Sequence, residues 1–322
     1  MRRSVPCQAA CSACAPGIVC NLTRADDFVS RLVVNAYAKI NLGLSILGRR
    51  DDGFHELESI AVGLDWYDRL TAAPLPGGIE FRCSAAGLAG PENLAWRAAA
   101  LIQNRFHVGR GIRLELEKRL DVGAGLGGGS SDAAAALLLC NALWGLELSR
   151  SELAALGAEL GSDVPLFFHL PHVWMAGRGD RVRPVSLAWR GWVVLVRTGV
   201  TVSTAAAYRR WRREDACKDT ARRLNMILNT ADAGSLEQST FNDLQKAVFR
   251  VAPRIGQLRR RLRDVGIERP LRVTGAGSVM VLLEDSESAA VVTAARVLET
   301  GLVPDVSVVR VLDTETLDVT EE

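Results

Sequence analysis

The segment Gly123-Ala124-Gly125-Leu126-Gly127-Gly128-Gly129-Ser130-Ser131 places five glycines within seven residues. Glycine has no side chain to pack and loses the most backbone freedom on ordering, so such a run cannot hold a core together. What it offers is open backbone: tight bends, and several N–H groups that can converge on one ligand. Ala133 to Leu139, a stretch of strong helix formers, follows almost at once. Ahead of the run, Ile112, Leu114 and Leu116 alternate with Arg113, Glu115 and Glu117, the period of a strand. A flexible linker is rarely bounded by a strand on one side and a helix on the other. A glycine loop feeding a helix N-terminus gathers unpaired N–H groups and the positive end of the helix dipole, which predicts a phosphate cradle.

The rest of the chain bounds what such a cradle can serve. With 322 residues, 48% of them hydrophobic and 24% charged, and a formal charge of +2, the composition is that of an ordinary globular chain with room for two cores. The near-zero charge argues against a protein built to seek nucleic acid, and no apolar run is long enough to span a bilayer. Four of the seven cysteines, Cys7, Cys11, Cys14 and Cys20, crowd the first twenty residues, and the others are scattered singly. That is no disulfide framework, and it fits a reducing, cytoplasmic location. Residues 1–30 have neither helical nor strand period and read as a disordered, cysteine-containing extension.

From Leu32 the pattern sharpens. Every even position to Ile46 is apolar, as in a half-buried strand or strand pair, and the odd positions bring Lys39 and Asn41 to the opposite face. On spacing alone that face is an ordinary solvated one. A polar turn follows, ending in Phe54 and His55. The pair reads either as a loop anchor with a surface histidine, or as a ring to stack on a nucleobase beside an imidazole to read its edge. Asn93 to Arg105 has an amphipathic helical stripe, and Ser151 to Leu160 another, stopped at Gly161. Asp163, two residues before Pro165, reads from the residues alone as the N-cap of a following helix, a role that Ser162 fits equally.

Three grammars compete for the glycine loop. A Walker A loop requires a lysine after its last glycine, and none is present. A dinucleotide fingerprint fits at Gly123, Gly125 and Gly128, with Glu147 at a suitable distance to meet a ribose, but nothing before it resembles a first Rossmann strand. The third grammar fits best: the glycine run with Ser130-Ser131 and an alanine-rich helix is similar to the second motif of the GHMP kinases. Other segments extend the resemblance. They are Ala38-Lys39-Ile40-Asn41-Leu42, the turn Gly48 to His55, Gly161-Ser162-Asp163-Val164-Pro165, Gly177-Arg178-Gly179-Asp180, Phe241-Asn242-Asp243-Leu244, and Val273 to Ser278. The likeness covers roughly residues 32–312. Three positions depart from it: Asp121 stands in place of a usual proline, Phe54 of a tyrosine, and Thr274 of a serine.

The resemblance implies an α+β, two-domain GHMP kinase fold. Its N-terminal domain would be ribosomal-S5-domain-2-like, over residues 31–188, and its C-terminal domain ferredoxin-like, over 189–322. It implies ATP and Mg²⁺, and, from the opening signature, a small-molecule acceptor carrying cytidine diphosphate, in a monomer or homodimer acting in isoprenoid precursor synthesis. ATP would be held by Gly123, Ala124, Gly125, Leu126, Gly127, Gly128, Gly129, Ser130 and Ser131. Asp163 would take the proton of the acceptor hydroxyl with Lys39 beside it, and Asn41, Phe54, His55 and Thr274 would contact the acceptor. For the metal, Ser130, Ser131 and Asp132 are candidates and no ligand set is assigned.

The second half is expected to form a separate α/β unit. Trp192 to Val196, Leu271 to Val273, Val279 to Leu283 and Val306 to Leu312 read as strands, and Ser288 to Thr300 as a helix. Two arginine-rich stretches, one an expected helix at Tyr208–Asp215 and one at Arg259–Arg263, read as solvated helix faces. Readings from other classes are an NAD-dependent oxidoreductase, through the dinucleotide grammar, and a nucleic-acid-binding module, through the arginine runs.

Overall fold

The computed structural model describes residues 31–314 and 317–322, so the expectation for residues 1–30 lies outside the described residues. In chain order the first half comprises β1 (Leu32–Arg49), β2 (His55–Leu75), β3 (Ile79–Cys83), α1 (Leu94–Arg105), β4 (Gly111–Glu117), α2 (Gly128–Trp144), α3 (Arg150–Leu160), a 3₁₀ turn (Pro165–His169), β5 (His172–Gly177) and β6 (Arg181–Pro184). The second half comprises β7 (Trp192–Arg197), α4 (Thr204–Arg210), α5 (Thr220–Asn229), α6 (Ala233–Ser239), β8 (Phe241–Asn242), α7 (Gln245–Val251), α8 (Pro253–Asp264), β9 (Arg272–Val273), β10 (Met280–Glu284), α9 (Glu287–Glu299), β11 (Asp305–Arg310) and β12 (Thr320–Glu321).

The long hairpin β1–β2 is the axis of an eight-stranded sheet. The second half of β2 pairs with β4, and its first half with β5. The apolar even positions of β1 are buried as expected, but the solvated face is not: Lys39, Asn41 and Ser45 are buried as well. Register shifts at Tyr37/Ala38, Asn41/Gly43 and Ile46/Gly48 redirect the strand so that it threads three apolar clusters. Helix α5 also lies close over Gly43, where a Cβ would come within 2.8 Å of Ile227 and 2.9 Å of Leu224. Helix α2 starts inside the glycine run, at Gly128, earlier than composition suggests. It is apolar on all sides, as a helix between other layers must be, and packs on α1, α3, β1 and β2.

The second sheet is antiparallel throughout, in the order β11-β7-β10-β9. Numbered by position in the chain this is 4-1-3-2, with helices connecting the first strand to the second and the third to the fourth, the ferredoxin-like arrangement. The fold is therefore α+β in two packed parts. Two short strands of the second half return to the first sheet: β8 pairs with β1 in parallel and β12 pairs with its start. The expected arginine-rich helix at Tyr208–Asp215 is broken, because α4 ends at Arg210 and Trp211 turns to extended backbone. In α8, Leu258 and Leu262 point inward.

His172 at the start of β5 is 3% exposed and its Nε2 has no hydrogen-bond partner among the described residues. Burial, reinforced by Arg190, lowers its pKa from 6.5 to about 4. Between those values the unfolded chain binds a proton that the folded chain refuses, so stability is lost as pH falls from 6.5 towards 4. The loss over the window amounts to roughly 3 kcal/mol. Chemical denaturation of the His172→Gln variant at pH 7 and pH 4.5 should show a markedly smaller acid loss than the parent chain.

Candidate active site

A cleft of about 1220 Å³ runs from the glycine loop to the turn after β1 and to α4, and most of the residues expected from sequence line it. One wall is the glycine run. Gly123, Gly125 and Gly127 all have positive φ, which only glycine adopts without strain. At Gly125 a Cβ would collide with the carbonyl oxygen of Thr274, because the loop between β9 and β10 lies directly against it. At Gly127 it would meet Phe167 at 2.8 Å and the stem of Lys39 at 3.0 Å. The amides of Ser130 and Ser131 both reach back to the Gly127 carbonyl, at 3.0 and 2.9 Å. Among the described residues the amides of Gly128 and Gly129 have no acceptor, which makes them available to an anion at the head of α2.

The residues of this wall fit a nucleotide triphosphate: a cradle that side chains would fill, with free amides and a helix dipole. For a metal ion the protein supplies less. Among the described residues no three His, Cys, Asp or Glu side chains gather into a metal cluster. The Ser131 hydroxyl is fully buried and unpartnered among the described residues, and Asp132 is 1% exposed with Oδ2 held by Lys118 at 2.8 Å. Neither faces the cleft freely, so of the three candidates Ser130 is the accessible one. Mg²⁺ that arrives with a nucleotide keeps phosphate and water ligands and needs few from protein, and a site of this kind suits it.

Beneath the cradle lies a group that the sequence reading did not single out. The Lys118 ammonium bridges Asp68 and Asp132, and a Cβ on Gly128 would stand 3.0 Å from it. Burial, opposed by Lys118, pushes the Asp132 carboxyl up to about 7. Asp68 also accepts the backbone amides of Arg119 and Leu120, at 2.5 and 2.7 Å, so the triad pins the chain just ahead of the glycines.

Lys39 and Asp163 come together across the cleft, with Nζ to Oδ2 at 3.5 Å. Lys39 is 3% exposed, and its amide donates to the Leu126 carbonyl of the glycine run at 2.9 Å. Its ammonium also donates to Asn41 Oδ1 at 2.7 Å. Asp163 is not an N-cap: the 3₁₀ turn after it is preceded by Val164 in helical conformation, with no side-chain cap. Its carboxylate is 39% exposed to the cleft instead. Gly161, ahead of it, leaves α3 in extended backbone.

Asn41 lines the cleft, whereas Thr274 needs correction. The Asn41 amide side chain accepts from Lys39 and donates to Ser59 Oγ at 2.7 Å. Thr274 is fully buried, and its Oγ1 accepts the Asn41 backbone amide at 3.0 Å. Thr274 is thus a support behind Asn41 and cannot touch an acceptor. A second support went unnoticed in the Phe-Asn-Asp-Leu block. Asn242 Nδ2 donates to the carbonyls of Val273 and Gly275, both at 2.7 Å, and so holds the loop that presses on Gly125.

The far end of the cleft is aromatic. Phe54 is 48% exposed, with the Arg178 guanidinium 5.2 Å from its ring centre. The His55 ring lies 5.2 Å from that of Tyr208 and 5.6 Å from that of Trp211. Burial, and then the charge of Arg49, lowers the His55 pKa below its ordinary value. Burial, and then Asp163, raises that of the Tyr208 phenol. Tyr208 was hidden in the sequence by its arginine neighbours. The dinucleotide grammar fails here: the glycine loop follows β4 in a largely antiparallel sheet, and Glu147 sits at positive φ in the turn after α2, not at a strand end.

If the two glycine loops are in the contact described, Gly125→Ala should lose at least 2 kcal/mol of stability, by the strain of positive φ and the collision with Thr274. Gly129→Ala, helical and with no neighbour nearer than 3.8 Å, should hold or gain up to about 1 kcal/mol. Denaturant titration of both variants checks this.

The sequence profile of the GHMP kinases N terminal domain matches residues 93–169. A 4-diphosphocytidyl-2-C-methyl-D-erythritol kinase from Moorella thermoacetica is 38% identical over 264 residues, 80% of this chain and 92% of the relative. The crystal structure of a 4-(cytidine 5'-diphospho)-2C-methyl-D-erythritol kinase superposes with a TM-score of 0.69 at 33% identity, over 88% of this chain and all of the other. A homoserine kinase from Cytophaga hutchinsonii shares the fold, with a TM-score of 0.71 at 16% identity over 94% of this chain and all of the other. The chain belongs to the GHMP kinases, small-molecule kinases that use ATP, and within them to the 4-diphosphocytidyl-2-C-methyl-D-erythritol kinases.

Proposed function

We propose that this cleft transfers the γ-phosphoryl group of ATP to the 2-hydroxyl of 4-diphosphocytidyl-2-C-methyl-D-erythritol, a step of isoprenoid precursor synthesis. The observation that carries the reading is the Lys39–Asp163 pair at 3.5 Å, with Lys39 bonded through its own backbone to the glycine run. Phosphoryl transfer asks the protein for position and charge more than for covalent chemistry. The Asp163 carboxylate accepts the proton of the acceptor hydroxyl. The Lys39 ammonium stabilises the negative charge that develops on the oxygen. Asn41, locked by Ser59 and Thr274, holds the ammonium in place. Mg²⁺, with Ser130 as the loop side chain that would hold it, supplies neutralisation of the phosphate charge.

At the aromatic end Phe54 and Tyr208 offer faces on which a cytosine can stack, and His55 offers its edge. Because its pKa is lowered, His55 is neutral at pH 7, with one nitrogen donating and the other accepting. A cytosine edge presents an amino donor beside acceptors, and a neutral imidazole can pair with either. An imidazolium, with donors alone, would lose that choice.

Asp163→Asn should keep ATP affinity while turnover falls about 10²- to 10⁴-fold, followed by ADP release and by phosphorus NMR of the product. Turnover near that of the parent chain would remove Asp163 from the mechanism. Phe54→Ala and Tyr208→Ala should each raise the KM for the cytidyl substrate roughly tenfold or more, with the KM for ATP nearly unchanged. An equal rise in both would place the cytosine elsewhere.

A further inference from the structure

Three of the five cations lining the cleft are committed to a neighbouring acid. Lys39 faces Asp163, Lys118 is held by Asp68 and Asp132, and Arg178 donates to Asp180 at 2.8 Å. Two are not. Among the described residues, the guanidinium groups of Arg49 and Arg209 line the cleft without a hydrogen bond or ion pair of their own. In the same segment Arg212 pairs with Glu214 and Arg250 grips Asp215, while Arg210 and Arg213, which do not line the cleft, have no side-chain partner among the described residues.

Both uncommitted arginines belong to the aromatic end. Arg49 closes β1 directly opposite His55, and its charge contributes to lowering the imidazole pKa. Arg209 follows Tyr208 on α4, and the Tyr208 ring lies 5.2 Å from that of His55. One comes from the first sheet and the other from the second half of the chain, and both line the same cleft as His55. The acids that line the cleft do not answer them. Asp163 and Asp132 are engaged with lysines, Asp121 pairs with Arg197, and Glu92, by α1, has no partner among the described residues.

An acceptor of the kind proposed above carries a diphosphate between its nucleoside and its alcohol, and neither the glycine loop nor the Lys39–Asp163 pair is free to bind it. Guanidinium groups are the side chains best matched to phosphate oxygens, through two parallel N–H donors. We propose that Arg49 and Arg209 form the clamp for the acceptor's diphosphate, so that the cleft selects a nucleoside diphosphate over a nucleoside or a bare alcohol. This rests on the acceptor reading given above. The two arginines act on binding and orientation of the acceptor, and leave the ATP end untouched.

Calorimetric titration of the whole chain with cytidine, CMP and CDP tests the clamp, with Arg49→Gln, Arg209→Gln and the double variant beside the parent. The parent should bind CDP at least tenfold more tightly than cytidine. Each single variant should lose about five- to tenfold of CDP affinity and the double variant most of the CDP advantage, while cytidine binds all four proteins alike. Arg209→Lys should recover only part of the loss, since a point charge lacks the fork. Unchanged melting temperatures and ATP affinity show that the variants are folded. A double variant that keeps the full CDP-to-cytidine ratio overturns the clamp and leaves the acceptor reading standing. A parent chain that binds none of the three cytidine ligands overturns both.

Discussion

A buried ammonium decides how the two halves of this cleft meet. Taking a lysine charge out of water costs several kcal/mol unless it is paired and hydrogen-bonded. Lys39 meets that requirement with Asn41 Oδ1 and Asp163 Oδ2, and each partner needs a support of its own. Asn41 leans on Ser59 of β2 and Thr274 of the loop after β9, and Asn242 holds that loop in turn. Asp163 is set by the turn between α3 and the 3₁₀ segment. Elements from both sheets are thus drawn to one nitrogen. The same demand explains two glycines: Gly127 gives way to the Lys39 stem, and Gly275 lies where a Cβ would stand 3.4 Å from its ammonium.

The second buried lysine does a different job. Lys118 stands close to the head of α2, yet it lies below the loop with two carboxylates on it. Two carboxylates on one ammonium leave the triad with no net positive charge, and burial raises the pKa of Asp132. The floor of the cradle is therefore a brace with little positive charge to spend on phosphate. Attraction at this end must come from the Gly128 and Gly129 amides, the dipole of α2 and whatever metal the nucleotide carries.

Some of this was plain in the sequence and some was not, for reasons that can be named. The glycine run, the strand before it and the helix after it are local features, and their periodicities carried over into β4 and α2. The strands of the second sheet were legible as short apolar runs around one strong helix, and their ferredoxin-like order was implied by the resemblance alone. Lys39 was visible as a residue but not as a buried one, because alternation in β1 identifies one apolar face and says nothing of what covers the other. Register shifts and the packing of α5 over Gly43 bury that second face, and both depend on contacts distant in sequence. Thr274 matched a motif and was read as a contact, whereas its burial makes it a support. Tyr208 and Lys118 had no motif to flag them, since a ring among arginines and a lysine among charged strand residues look like surface until the chain folds.

The two ends of the cleft recognise their ligands with different chemistry, and this bears on how each can vary. At the glycine loop the contacts on offer are backbone amides, positioned by residues whose merit is the lack of a side chain. Substitution there can block the site but cannot retune it. The other end is made from side chains: Phe54 and His55 on the turn after β1, Tyr208 and Arg209 on α4, and Arg178 over the Phe54 ring. Tyr208 packs against the edge of an apolar cluster, while Phe54 and Arg209 are exposed. A change of acceptor therefore needs a few substitutions on three elements, with the Lys39–Asp163 pair and its buried supports left as they are. One framework can thus keep a single phosphoryl-transfer apparatus while the alcohol it serves is chosen by residues that cost the fold little to replace.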